Sequence, residues 1–138
     1  MAEIISIQDM MKLDRGKLME KPTAVVKAAH LSKLLQKDVY VKLQALPGDS
    51  FTELMGMAAN KEGNVAFDRL RGANAMVVVE GMVEPSLKDK DLQEHFGAAT
   101  PKDLAGLLFP GGELNLISQK IGELSGFSDK MELEEVKN

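Results

Sequence analysis

Between Val39 and Ala45 apolar and polar residues alternate: Val39, Val41, Leu43 and Ala45 fall on one side, Tyr40, Lys42 and Gln44 on the other. A period of two is that of a strand with one buried face. Upstream, TAVVKAAH from Thr23 is rich in Val and Ala and reads as a second extended segment. The intervening LSKLLQKD is too long for a two-residue turn, and its leucines predict a helical turn folded over the pair. A two-stranded hairpin with a bulky loop follows. Alone in water it is marginal, so it must pack on helices or on another chain.

The rest of the chain carries a helical period. Ser6-Ile-Gln-Asp9 is a capping signal for a short helix through Met10 and Met11, with Gly16 as its expected end. Gly16 to Pro22 reads as a connector. After the turn at Pro47-Gly-Asp49-Ser50, FTELMGMAAN predicts a helix with Phe51, Leu54 and Met55 on its apolar face, closed by Asn60-Lys-Glu-Gly63. Phe67, Leu70, Asn74, Val77, Val78 and Gly81 then recur at helical spacing. The β-branched run Val77–Val79 is a competing strand signal. The periodicity over the preceding turns favours helix, ending at Pro85, because the residue before a proline avoids the α region.

The C-terminal half is heavily punctuated. Asp89 to Phe96 reads as a short helix stopped at Gly97. Thr100-Pro-Lys-Asp103 is a strong start: Thr100 as cap, Pro101 at the first helical position, Asp103 at the positive helix end. Leu104, Leu107 and Leu108 give that helix an apolar face, and Pro110-Gly111-Gly112 breaks it. Leu114, Ile117, Ile121 and Leu124 make a third helix, with Gly126 as its stop and Phe127 as the apolar contact that accompanies such a stop. The tail SDKMELEEVKN is a frayed helix or a disordered end. The fold class is α+β, a mainly helical body with a small N-terminal β-hairpin. We expect a single domain over 1–138: an arm at 1–22, the hairpin at 23–46, the helical body at 47–127 and a charged tail at 128–138.

Composition narrows the function. The chain of 138 residues is 44% hydrophobic and 28% charged, the balance of a soluble globular protein with one core. A net charge of −4 argues against a nucleic-acid partner, which calls for a basic face. There is no cysteine, hence no disulfide and no thiolate chemistry. No apolar run is long enough for a membrane span or a signal peptide, so a cytosolic protein is expected. Nine methionines outnumber five phenylalanines and one tyrosine. Methionine fills irregular cores and also serves adaptable binding surfaces.

Residues that carry chemistry are sparse. His30 and His95 each lack a second ligand at metal spacing. Glu80 and Glu84 lie one turn apart, as carboxylates on a solvated helix face commonly do. Neither a GxxxxGK[ST] nor a GxGxxG phosphate loop is present, nor a GxSxG elbow. PGGE before a helix reads as a break rather than an anion site. Arg69 and Arg71, and the helices around Pro101, do not amount to a basic recognition helix at this net charge. We therefore expect no enzyme activity, no metal and no cofactor, and a domain that binds protein through apolar helix faces and open strand edges.

Three stretches carry a resemblance: SIQDMMKLDRGKL, then LSKLLQKDVYVKLQALPGDSFTEL, then VEPSLKDKDLQEHFGAATPKDLAGLLFPGGELNLISQKIGELSGF. In this order, over most of the chain, they resemble the XkdN-like phage tail assembly chaperones of PBSX-type prophages and contractile-tail elements. The most specific part is V-x-P-x-L-K-D-x-x-L-Q-x-x-[FY]-G, followed by T-P, P-G-x and I-x-x-L-S-G-F.

The resemblance implies a protein made with the tail genes, active in the host cytoplasm and not retained in the mature particle. It implies that the partners are the tape measure protein, kept soluble, and the tail tube protein, helped to polymerise around it, in some systems through a frameshift-extended form. A homo-oligomer is expected. Such a holdase needs modest, repeated apolar contacts rather than catalytic groups. The candidate protein-binding residues are Leu107, Leu108 and Phe109 before the Pro-Gly-Gly break, then Met55 and Met57; for each, ordinary core packing is the competing reading. Two other functions are weighed beside the chaperone: a structural tail component, and a phage-encoded DNA-binding regulator.

Overall fold

The structure, a computed structural model, describes residues 3–127. The expected charged tail lies outside the described residues. The elements run α1 (Ile7–Met11), α2 (Arg15–Leu18), β1 (Thr23–Lys27), α3 (Ala29–Leu35), β2 (Tyr40–Gln44), α4 (Gly48–Gly56), α5 (Phe67–Gly81), β3 (Met82–Glu84), α6 (Lys90–His95), α7 (Pro101–Leu108) and α8 (Gly112–Leu124). The α+β class is as the periodicities predict.

The hairpin is present, with Thr23 opposite Gln44 and Lys27 opposite Tyr40. Val41 and Leu43 point into the core and Ala45 continues the buried face, as the alternation requires. The loop leucines do form a helix, α3. Ser32 closes it: the Val39 N–H donates to Ser32 Oγ at 3.0 Å, and the hydroxyl donates back to the Val39 carbonyl at 3.3 Å. At the mouth of the loop Lys27 Nζ lies 3.0 Å from Asp38, whose carboxylate raises the lysine pKa above its ordinary value.

The sheet has three strands rather than two. β3 pairs antiparallel with β2, Met82 opposite Leu43 and Glu84 opposite Lys42, giving the order β1-β2-β3. The long helix therefore ends at Gly81, before the expected boundary at Pro85. Met82 turns extended, with φ −90° and ψ 114°, and buries its side chain under the sheet. Val77–Val79 are helical and buried. β-Branching does not win there because α5 is packed on several sides. Gly81 is needed at the turn-off: a Cβ there would lie 2.6 Å from Ile121 Cδ1.

α5 is the axis of the body, in contact with α4, α7 and α8. The core gathers Leu43, Val77, Val78, Leu87, Leu104, Phe109, Leu114 and Ile121, all with almost no exposed surface. One polar chain crosses it. Ser118 Oγ donates to Asn74 Oδ1 at 2.7 Å, and Asn74 Nδ2 donates to Asn115 Oδ1 at 3.1 Å. Asn74 thus sits on the apolar side of its helix because α8 supplies its partners. Every buried side-chain nitrogen or oxygen among the described residues is satisfied.

The punctuation acts as read. Asp89 and Thr100 cap α6 and α7, accepting from the N–H groups of Leu92 and Asp103. Gly97 and Gly126 take φ +68° and +94°. At the end of α8 the Phe127 N–H donates to the Gly122 carbonyl and the Gly126 N–H to that of Glu123, a two-bond left-handed stop. Phe127 then stacks on Phe51, ring centroids 4.7 Å apart. Ser6 caps α1 through the Asp9 N–H at 3.1 Å. That helix ends at Met11, however, and Gly16 lies inside α2 instead of terminating α1.

Candidate protein-binding site

A groove of about 800 Å³ opens between α5 and α7. Its floor is Ala73, Ala75 and Leu114, and its walls include Leu107 and Met57. Small residues keep it open at Gly106 on α7 and at Gly97 and Ala98 in the connection before α7, while the Lys102 side chain lies across Gly72 on α5. Arg69 and Lys102 stand on the rim with Asp68 and Asp103, so both signs are present.

α7 explains why only one residue of its apolar triplet lines this groove. Its buried side is Leu104, Ala105 and Leu108, one and four residues apart. Leu107 lies about 100° around the helix from that direction and is 56% exposed. Phe109 ends the helix with φ −127° and ψ 76°, which turns its ring into the core. Arg71 fixes this turn from α5, donating from Nη1 to the Gly111 carbonyl at 3.0 Å and from Nη2 to the Phe109 carbonyl at 3.3 Å. A cation at the C-terminal end of a helix also suits the helix dipole. Arg71 is thus a structural clasp on the Pro-Gly-Gly break.

Over residues 7–137 the sequence matches the family of phage XkdN-like tail assembly chaperone proteins. The chain belongs to this family. The membership assigns it a chaperone role in phage tail assembly. The crystal structure of the protein yqbn is similar to it: 20% identity, a TM-score of 0.63, and coverage of 91% of this chain and 100% of that one. At this identity the likeness speaks for the fold alone. No curated protein sequence matches the chain.

In this tail assembly chaperone the five candidate residues divide. Leu107 and Met57, from separate elements, come together on the groove, both more than half exposed. Leu108 and Phe109 are buried in the core that α7 shares with α5; the expected exposed triplet is one exposed leucine over two core residues. Met55 is half-buried against the core. The small residues of the groove floor do not stand out in the sequence as binding residues. Their signal is the R-G-A-N-A run at Arg71–Ala75, where an amphipathic helix places side chains too short to fill a core by themselves.

His30 and His95 do not meet, and among the described residues no three His, Cys, Asp or Glu side chains cluster as metal ligands do. Among the same residues no helix is long and apolar enough to cross a membrane.

Proposed function

We propose that this chaperone binds the tape measure protein through the α5–α7 groove, holds it soluble in the host cytoplasm, and promotes tail tube assembly around it without catalysis. Leu107 and Met57 are the proposed contact residues, with Leu108 and Phe109 fixing the wall beneath them. The observation that carries the reading is an open apolar groove floored by Ala73, Ala75 and Leu114. Two alanines in such a floor let a client helix come close. The flexible methionine wall tolerates changes of register along a repetitive client. One groove gives a modest contact, and many copies along one client give avidity while permitting release.

Co-expression with the tape measure protein encoded beside it tests this. The expected result is a soluble complex carrying several copies of this chain, with the client insoluble alone. Leu107→Asp should abolish that complex. Because Leu107 is exposed, its stability should stay within about 0.5 kcal/mol of wild type by denaturant titration. If the variant solubilises the client as well as wild type does, the groove is not the client site. Mass spectrometry of finished particles separates the chaperone from a structural tail component: a chaperone is missing from them, a component is present.

A further inference from the structure

Charge is unevenly spread along this chain. Its net charge is −4, yet between Lys27 and Lys42 four lysines meet a single aspartate, Asp38. The fold gathers three of those lysines at the loop end of the hairpin. Lys27, Lys33 and Lys37, together with Ala29 and Ser32, line a shallow hollow of about 310 Å³. Asp38 already holds Lys27 at 3.0 Å. Among the described residues Lys33 and Lys37 have no ion-pair partner. On the same helix, α3, Leu34 and Leu35 are 67% and 58% exposed. Free lysines and exposed leucines on one short helix fit an acidic segment that also carries apolar side chains.

We propose that this surface is covered by the chain's own C-terminal segment, with Glu134 and Glu135 at Lys33 and Lys37. Residues 128–138 read SDKMELEEVKN, in which Glu132, Glu134 and Glu135 are interleaved with Met131, Leu133 and Val136. Reach permits the contact. The Leu46 N–H donates to Ser125 Oγ, and Phe127 lies against Gly48 and Phe51, so the described residues end beside the far end of β2. Leu46 is eight residues beyond Asp38, about 26 Å along an extended chain. Glu135 is likewise eight residues beyond Phe127, and the long Lys and Glu side chains shorten the gap further. Exposed ion pairs are individually weak. A separate partner at low concentration gains little from two of them, whereas a short tether supplies an effective concentration on the order of millimolar. Charge complementarity selects the segment, and the tether selects the copy it comes from. The contact withdraws a basic, leucine-bearing surface from the acidic segments of other proteins.

The test uses the full-length chain, which has no cysteine, so that Asn138→Cys carries a single nitroxide. Paramagnetic broadening of backbone amide signals then reports what the segment approaches. Broadening is expected over α3 and at Lys37–Val39, and it should fade at about 1 M salt, where the screening length is ~3 Å. Lys33→Glu/Lys37→Glu should remove it. Adding Glu132→Lys/Glu134→Lys/Glu135→Lys to that variant should restore it. Both α3-side positions are exposed, and unchanged amide shifts elsewhere verify that the variants fold. In a mixture, a nitroxide-bearing chain should leave a separate isotope-labelled chain without nitroxide unbroadened. The proposal is overturned by absent broadening at α3, by broadening that survives Lys33→Glu/Lys37→Glu, or by reversed charges that do not restore it. An effect seen in the mixture overturns it too, because the contact then lies between copies.

Discussion

Gly81 and Ser118 show how single atoms set this fold. Gly81→Ala gains roughly 0.5–1 kcal/mol of helix propensity. It also forces a methyl against Ile121, which is fully buried and has nowhere to move. Overpacking of that kind costs about 1–3 kcal/mol, so the variant should be less stable, read as a lower urea midpoint. Ser118→Ala leaves Asn74 Oδ1 buried without its 2.7 Å donor. A loss of roughly 1–3 kcal/mol is expected. Removing both partners in Ser118→Ala/Asn74→Leu should cost less than the sum of the two single changes, because the buried Asn74 acceptor goes with its donor and Asn115, which loses its own donor, is exposed to water. None of this is readable from the sequence. Asn74 is visible on an apolar helix side, but the hydroxyl that satisfies it is 44 residues away. The end of α5 falls short of Pro85 for a similar reason: the proline is a local signal, whereas pairing with β2 is not.

Among the elements, those with local chemistry are legible. The alternation at Val39–Ala45, the caps at Ser6, Asp89 and Thr100, and the glycine stops at Gly97 and Gly126 all act within a few residues of where they stand. Gly126→Ala, placed at φ +94°, should cost about 1–2 kcal/mol of stability. α3 is the contrasting case. Its N-cap, Ala28, offers no side-chain acceptor, and the carboxylate of Glu113 supplies one from the start of α8, taking the Ala29 N–H at 2.6 Å and the His30 N–H at 3.4 Å. Glu113→Ala should cost roughly 1–3 kcal/mol. Glu113→Gln should cost less, since an amide oxygen still accepts but without charge. Hydrogen exchange at Ala29 and His30 is the measurement that places the loss. The groove is half legible. Leu107 and Met57 stand out as large apolar residues, while its floor of Ala73, Ala75 and Leu114 carries meaning only once α5 and α7 lie side by side.

At the scale of the molecule, a helical body and a three-stranded sheet share one core; α5 runs directly into β3, and α8 adds a second join. Glu113 at its start holds α3, Ile121 and Ser118 hold α5, and Ser125 at its end accepts the Leu46 N–H at 2.9 Å just past β2. Chaperone membership sets the task in phage tail assembly, and the groove and the arm are apolar surfaces this architecture leaves outward among the described residues.

That joining role has a consequence for synthesis. A ribosome delivers α3 and α5 well before α8, yet the hydrogen bonds that tie them to it span 44 to 84 residues and close only when α8 emerges. Completion of the native core is therefore expected late in translation. Truncated chains released at Phe109 should be degraded by a protease pulse that chains reaching Phe127 survive. Working chaperone is thus supplied by chains read through α8, and a chain stopped short of it lacks the helix that ties sheet to body.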